Sequence, residues 1–267
     1  WLGAGVVRPG LVCDIAGPAE PVCAASPEYV FDSTGLVETH CHADPGLWLL
    51  ENPGFVSGAN YRWFRDQFAP FEVTTANQRG LDAYDLLNEL AATVSPGSEG
   101  LLLLPCLMGA MAPTWNAAAR GTFFGFTLAH RREHFVRAVL EASAYAVRDI
   151  TDQMRRMSLP LNTIRAVGGG ARSRLWRQIK ADVTGLPVAL PQTTETTALG
   201  AAMLALVGAG ACASLIQAAE NIVRIIETVD PQPEIQARYE DYYQLYRAAY
   251  FALLPVFEQA ARIPTHE

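Results

Sequence analysis

The spacing of hydrophobic and polar positions changes along the chain, and the first fifty residues show a β-type pattern. Short apolar runs alternate there with turns rich in proline and glycine, which is typical of strands. Because the connections are short, we expect these strands to pair in the antiparallel direction. The predicted strands are Val6-Val7, Leu11–Ile15, Pro21–Ala25, Glu38–His42 and Leu47–Leu50.

Helical spacing follows in the next segment. Ser57 is predicted to cap a helix over Gly58–Phe68, and Leu81–Val94 places its leucines on one helical face. Leu101–Leu104 is a continuous apolar run between a glycine and a proline. Such a run favours a strand that is buried on both faces.

From about residue 130 the pattern alternates between helix and strand. Because strands come first and alternating elements follow, the order predicts a mixed α/β sheet. The last helix carries a tyrosine-rich stripe at intervals of three or four residues, which favours a core position over an interface. The predicted elements are a helix over Glu133–Met157, a strand over Thr163–Val167, a helix over Arg172–Val183 that ends at Gly185, a strand over Pro187–Leu190, a helix over Glu195–Val207 and the final helix with its stripe from Ile235 to Leu253.

Composition excludes several classes of protein. The 267 residues are 50% hydrophobic and 18% charged with a net charge of −7, which argues against disorder and against binding to duplex nucleic acid. No apolar run reaches the roughly 18 residues that a membrane span needs. Five widely spaced cysteines are typical of small buried side chains in a reducing cytoplasm. Since the chain opens on the apolar residues Trp1-Leu2-Gly3, we expect a fragment of a longer protein.

Glycines stand at three places where a strand or turn meets another element. Gly168–Gly170 lies between a predicted strand and a predicted helix, where a ligand could contact backbone and the helix N-terminus favours anions. This segment matches neither the Walker A loop nor the dinucleotide fingerprint, so a tight turn and a nucleotide site both stay open. Taken singly, Gly58 is typical of a packing glycine and Gly17 of a hairpin turn.

Two other kinds of chemistry can be considered. His40 and His42 would share one face of a strand and could bind zinc, as in a metal-dependent hydrolase, but a strand whose polar side faces solvent or a neighbouring loop explains them better. Cys106 is a conceivable nucleophile, but no neighbour in the sequence would activate it.

Taken together, the motifs resemble the C-terminal half of the FGGY family of carbohydrate kinases, and most of all its xylulose kinases. The resemblance extends over almost the whole chain in the order and spacing of that family. The matching segments are Gly58 with Trp63–Asp66, Pro113–Asn116, Ala119–Thr127, His134–Glu141, Val167–Ser173 with Trp176 and Gln178, and Thr196–Ala202.

This resemblance implies a ribonuclease-H-like α/β domain, as in actin and hexokinase, with antiparallel N-terminal strands and flanking helices. Residues 1–267 would be the C-terminal nucleotide-binding domain, paired with an N-terminal domain of the same protein. The implied ligands are ATP with Mg²⁺ and a sugar, xylulose or a related ketose or polyol, in a cytoplasmic enzyme that could form a homodimer. The implied binding residues are Gly168, Gly169, Gly170, Ala171 and the weaker contact Arg174 for adenosine, and Gly58 and Gly17 for the phosphates.

The sequence departs from the family pattern at two segments. Gly17-Pro18-Ala19 replaces the usual Gly-Thr-Ser, so one N–H donor and one hydroxyl are missing. Gly109–Ala112 lacks the two charges of the usual Gly-Glu-Arg segment. The Gly17-Pro18-Ala19 turn supports an alternative, a non-catalytic member that acts as a binding or regulatory module.

No residue of this chain is predicted to be catalytic. In the family a carboxylate accepts the proton of the sugar hydroxyl, and its position would fall before Trp1. Asp14 lies on the wrong side of the glycine turn for that role. We therefore expect the fragment alone to be inactive.

Overall fold

The computed structural model describes residues 1–193 and 195–263, which form a mixed seven-stranded sheet, a separate two-stranded sheet and flanking helices. The strands are β1 Gly10–Ile15, β2 Ala19–Ser26, β3 Glu38–Cys41, β4 Trp48–Val56, β5 Leu102–Leu104, β6 Thr122–Phe124, β7 Leu161–Val167, β8 Val188–Pro191 and β9 Ile225–Val229. The helices are α1 Gly58–Phe68, α2 Pro70–Arg79, α3 Ala83–Ala92, α4 Arg132–Arg156, α5 Arg174–Thr184, α6 Thr196–Gly208, α7 Leu215–Ile222 and α8 Pro233–Ala261.

The large sheet has the strand order β3-β4-β2-β1-β7-β8-β9, and β5 pairs with β6 in a separate two-stranded antiparallel sheet. The N-terminal strands pair in the antiparallel direction, as predicted, whereas β1–β7 and β7–β8 are parallel. Because β1 and β7 are adjacent and parallel, the turns that follow them lie at the same end of the sheet. This arrangement places two glycine-containing turns side by side.

Helices cover both faces of the sheet. On one face, α4 and α5 pack over alternating apolar residues such as Val12, Val22 and Ile164. On the other face lie α6, α7 and the N-terminal segment. The tyrosines of α8 point into the core, since Tyr239 and Tyr246 are fully buried, so the predicted core position of that stripe is confirmed.

Several boundaries differ from the predictions. Val6-Val7 is not a strand but follows a 3₁₀ turn over Leu2–Ala4 and is buried. The helix predicted from Arg172 begins at Arg174, because a 3₁₀ turn over Gly170–Arg172 precedes it. Cys41 is exposed, contrary to the expectation that every cysteine is buried.

Four elements were not predicted: α2, α7, β6 and β9. The helix α2 begins with Pro70 at its first turn and buries few side chains, so its apolar periodicity is weak. The strand β9 lies at the edge of the sheet and is largely exposed, which removes the apolar alternation that marks a half-buried strand.

Candidate functional site

The turn between β1 and β2 is fixed to the start of α1 by backbone hydrogen bonds. The N–H of Gly58 donates to the carbonyl of Gly17 at 3.1 Å, and the N–H groups of Ser57 and Ala59 donate to the carbonyl of Pro18 at 3.2 and 3.1 Å. A Cβ at Gly58 would lie 2.4 Å from the Gly17 oxygen. Only glycine therefore allows α1 to approach the turn this closely.

The turn after β7 packs against the same β1–β2 turn. The N–H of Gly170 donates to the carbonyl of Ala16 at 3.0 Å. Gly168 has a φ of +83°, and a Cβ there would lie 2.8 Å from the Ala16 oxygen. A Cβ at Gly170 would lie 2.8 Å from the Trp176 ring. These two glycines are thus required by contacts within the protein, before any ligand is considered.

Gly169 differs from its two neighbours. Its φ of −62° and ψ of −41° are open to any residue, and no atom lies within 4 Å of the place where a Cβ would stand. The residue is exposed and faces open space. A ligand can therefore approach the backbone of Gly169 directly.

These turns form one wall of a cleft with a volume of about 570 Å³. The cleft brings together four of the predicted residues, Gly17, Gly58, Gly169 and Gly170, so the three separated glycine turns converge on one site. Its complete lining is Ala16, Gly17, Pro18, Gly58, Ala59, Tyr61, Arg62, Asp82, Tyr84, Asp85, Asn88, Gly169, Gly170, Arg172, Ser173 and Trp176.

The remaining predicted residues do not line the cleft. Gly168 lies in the turn after β7 but does not line the cleft, and Ala171 is 2% exposed and belongs to the hydrophobic core. Arg174 points to Glu227, with 2.9 Å between its Nε and Glu227 Oε1. The structure thus gives no support for a base contact from Arg174, which stays a prediction.

Aromatic side chains form the second wall of the cleft. The ring of Tyr61 lies 5.0 Å from that of Tyr84 and 5.7 Å from that of Trp176, measured between centroids. The Tyr61 hydroxyl donates to Asn88 Oδ1 at 3.1 Å, and Trp176 Nε1 donates to Ser143 Oγ at 2.7 Å. Hydrogen bonds therefore hold the rings in place, and burial raises the pKa of Tyr61 so that its hydroxyl stays neutral.

Two guanidinium groups, those of Arg62 and Arg172, also line the cleft and are exposed. Neither is hydrogen-bonded or ion-paired through its side chain to another residue in the described ranges. They are free to meet an anion, and arginine matches the geometry of phosphate oxygens. Sequence reasoning missed both arginines and the tyrosine wall, because only the fold brings α1, α3 and the β7 turn together.

The amides of the β1–β2 turn are less available than predicted. The N–H of Gly17 donates to the carbonyls of Ile15 and Ala19 at 2.7 and 3.1 Å, and Pro18 has no N–H. The N–H of Gly58 is also engaged within the protein. Ser57 does not cap α1 with its side chain, contrary to the prediction, because its hydroxyl donates to the carboxylate of Glu20.

A buried ion cluster lies directly beneath the turn. Lys180 Nζ is 2.5 Å from Asp14 Oδ2 and 2.6 Å from Glu20 Oε1, and all three side chains are at most 2% exposed. Burial, aided by the charge of Asp14, raises the pKa of Glu20 to about 8, although Lys180 opposes this shift. Asp14 is therefore occupied by Lys180 and does not face the cleft.

The arrangement of the residues supports neither a zinc site at His40 and His42 nor a nucleophilic Cys106. His42 is buried, with Nε2 2.9 Å from the Val6 carbonyl and Nδ1 accepting from the Asp44 N–H at 2.9 Å, while the exposed His40 pairs with Glu38. Among residues 1–193 and 195–263 no group of three or more His, Cys, Asp or Glu side chains is placed to hold a metal ion. Burial raises the pKa of Cys106 to about 12, which keeps this thiol protonated. Within the same residues no helix is both long and apolar enough to cross a bilayer.

The sheet order and the glycine-walled cleft define a mixed α/β domain of the actin and hexokinase type. Residues 16–209 match the C-terminal domain of the FGGY family of carbohydrate kinases. The chain therefore belongs to the FGGY carbohydrate kinase family, and the predicted fold is confirmed. FGGY carbohydrate kinases use ATP.

Individual sugar kinases are similar to this chain over most of its length. The chain is 36% identical over 210 residues to a gluconokinase of Bacillus subtilis, covering 78% of this chain and 41% of that protein. It is 36% identical over 256 residues to an autoinducer-2 kinase of Escherichia coli K12, covering 93% of this chain and 47% of that protein. A xylulose kinase structure from Rhodospirillum rubrum superposes with a TM-score of 0.85 at 33% identity, covering 96% of this chain and 50% of that one. The chain thus spans about half the length of the relatives it matches.

Proposed function

We propose that residues 1–267 form the C-terminal, nucleotide-binding domain of an ATP-dependent sugar kinase. The observation that carries this proposal is the convergence of Gly17, Gly58 and Gly169-Gly170 on one cleft. The open backbone at Gly169 suits a flat base. Arg62 and Arg172 supply positive charge for a phosphate chain.

The cleft has the size of a nucleotide site, and its lining carries two arginines, Arg62 and Arg172, together with two aspartates, Asp82 and Asp85. The volume of about 570 Å³ lies in the usual range for small-molecule sites. Because the amides of Gly17 and Gly58 are engaged and Pro18 has none, we expect the phosphates to depend more on guanidinium groups than on turn amides. A Mg²⁺ ion bound with the nucleotide would offset phosphate charge during transfer.

In the complete enzyme, the γ-phosphoryl group would pass to a sugar hydroxyl. We propose xylulose or a related ketose or polyol as the acceptor, and the names of the relatives add gluconate to the compounds to be tested. The catalytic base and most of the sugar pocket would belong to an N-terminal domain, which the length of the relatives supports. A cytoplasmic location and a homodimer belong to the same proposal.

The alternative is a family member that binds nucleotide but has lost phosphoryl transfer. The occupied Gly17 N–H and the missing N–H of Pro18 favour it, since the turn offers few donors to a terminal phosphate. Both proposed functions use the same nucleotide site, and they differ in whether the protein transfers the phosphoryl group to a sugar.

One experiment separates them. ATP binding to the full-length protein is measured by calorimetry, and ADP formation is then followed with a panel of xylulose, other ketoses, polyols and gluconate. Binding with acceptor-dependent ADP formation supports the kinase, and binding without turnover on any acceptor supports the alternative. Absence of ATP binding would contradict both.

A further inference from the structure

The ion cluster of Asp14, Glu20 and Lys180 joins the two ends of the β1–β2 turn. Asp14 belongs to β1 just before the turn, and Glu20 belongs to β2 just after it. Lys180 reaches both carboxyl groups from α5, with its Nζ 2.5 Å from Asp14 Oδ2 and 2.6 Å from Glu20 Oε1. One ammonium group therefore holds together the two strands that carry the turn.

The cluster also reaches α1 through Ser57. The Ser57 hydroxyl donates to Glu20 Oε2, while the N–H of Ser57 donates to the carbonyl of Pro18 at 3.2 Å. Thus Lys180, Glu20, Ser57 and the turn form a continuous chain of contacts. It ends at residues that line the cleft, namely Pro18 and Gly58.

Stability alone is a poor explanation for this cluster. Two carboxyl groups and one ammonium group are buried together, and Asp14 Oδ1 has no hydrogen-bond partner within residues 1–193 and 195–263. Buried ion pairs are often matched or exceeded in stability by apolar side chains of similar volume. Buried charges beside a cleft are instead typical of functional sites.

We propose that Lys180 is a positioning residue for the phosphate chain of ATP. By joining Asp14 and Glu20, and through the contact of Glu20 with Ser57, it holds the start of α1 in place, and α1 carries the Arg62 guanidinium that would receive the phosphates. This inference rests on the proposed nucleotide site. It assigns no contact between Lys180 and the nucleotide, since the side chain is 2% exposed and does not line the cleft.

The test is a comparison of two ligands, ATP and adenosine, in the full-length protein. Lys180→Met keeps the length of the side chain and removes its charge. We expect its affinity for ATP to fall about tenfold, as for the loss of a buried charged hydrogen bond, while its affinity for adenosine changes less than about twofold. A purely structural role would weaken both ligands by the same factor, so the ratio of the two affinities is the decisive readout.

Two further variants make the result unambiguous. Ser57→Ala removes only the hydroxyl that contacts Glu20, so it serves if Lys180→Met does not fold, and we expect an ATP-selective loss of about threefold. Asp149→Asn is the matched control, because Asp149 is a buried, ion-paired carboxylate on α4 that does not line the cleft. Asp149→Asn should leave the ratio of the ATP and adenosine affinities unchanged.

The outcomes divide as follows. An ATP-selective loss in Lys180→Met or Ser57→Ala, with an unchanged ratio in Asp149→Asn, supports the inference. Equal losses for both ligands, no loss, or the same selective loss in the control overturns it while leaving the nucleotide site intact. If the unaltered protein does not bind ATP, the proposed function fails and the inference fails with it.

Discussion

A side chain added at Gly169 should block nucleotide binding without disturbing the fold. The backbone there has φ −62° and ψ −41°, and no atom lies within 4 Å of the position of a Cβ. Replacing such a glycine by alanine stabilises a protein by about 0.4–1 kcal/mol, because the unfolded chain loses freedom. Gly169→Leu should therefore fold normally while placing its side chain in the cleft.

The expected effect on binding follows from crowding. Forcing additional methylene groups into a filled site costs about 1–3 kcal/mol. At 1.4 kcal/mol per tenfold, this is roughly a fivefold to hundredfold loss of affinity. Gly169→Ala adds one carbon and should have an effect at the lower end or below it, so the two variants form a graded series.

Calorimetric titration of the full-length protein with ATP measures the effect, and thermal unfolding checks the fold. Gly208→Leu is the matched control, since Gly208 also has no atom within 4 Å of a Cβ and does not line the cleft. Gly170→Ala is the contrasting variant, because its Cβ would lie 2.8 Å from Trp176 and should lower the unfolding temperature. Unchanged ATP affinity in Gly169→Leu would refute the assignment of this wall to the nucleotide.

Three further predictions concern charge and the β1–β2 turn. Arg62→Gln should weaken ATP binding about threefold to tenfold and reduce its salt dependence. The control Arg79→Gln, on α2 and outside the cleft, should do neither. Equal effects of the two variants in titrations at two salt concentrations would count against a phosphate contact from Arg62. Because burial raises the pKa of Glu20 to about 8, the folded protein holds a proton there that the unfolded chain releases near pH 4.5, so stability relative to Glu20→Gln should fall as the pH rises through that window; urea unfolding at pH 5 and pH 8 that gives a constant difference would exclude this protonation. Pro18→Thr restores an N–H and a hydroxyl, so it should raise the rate of ADP formation with an accepted sugar; an unchanged or lower rate in a coupled assay would show that this turn does not limit transfer.

The sequence was sufficient for the elements whose apolar pattern is strong. The antiparallel pairing of β1 with β2 and the strand–glycine–helix order from β7 to α5 were both predicted and are confirmed. The edge strand β9 and the polar helix α2 were missed, because neither buries a continuous apolar face. Local spacing cannot reveal an element whose exposed side chains resemble those of a loop.

The sequence identified the glycines of the site but could not show which contacts within the protein require them. Taken singly, Gly58 was predicted to be a packing glycine and Gly168–Gly170 to be a tight turn or a nucleotide site, while the family resemblance assigned them to a ligand; the structure shows that contacts with Gly17, Ala16 and Trp176 require Gly58, Gly168 and Gly170. Contacts of this kind join residues distant in the sequence. The ion pair between Lys180 and Asp14, 166 residues apart, could not be predicted for the same reason.

The most direct test of the account is a crystal structure of the full-length protein with a non-hydrolysable ATP analogue. We expect the analogue in the cleft, with its base against Gly169 and its phosphates near Gly17 and Arg62. Density for the analogue on any other surface, with this cleft empty, would contradict the central claim.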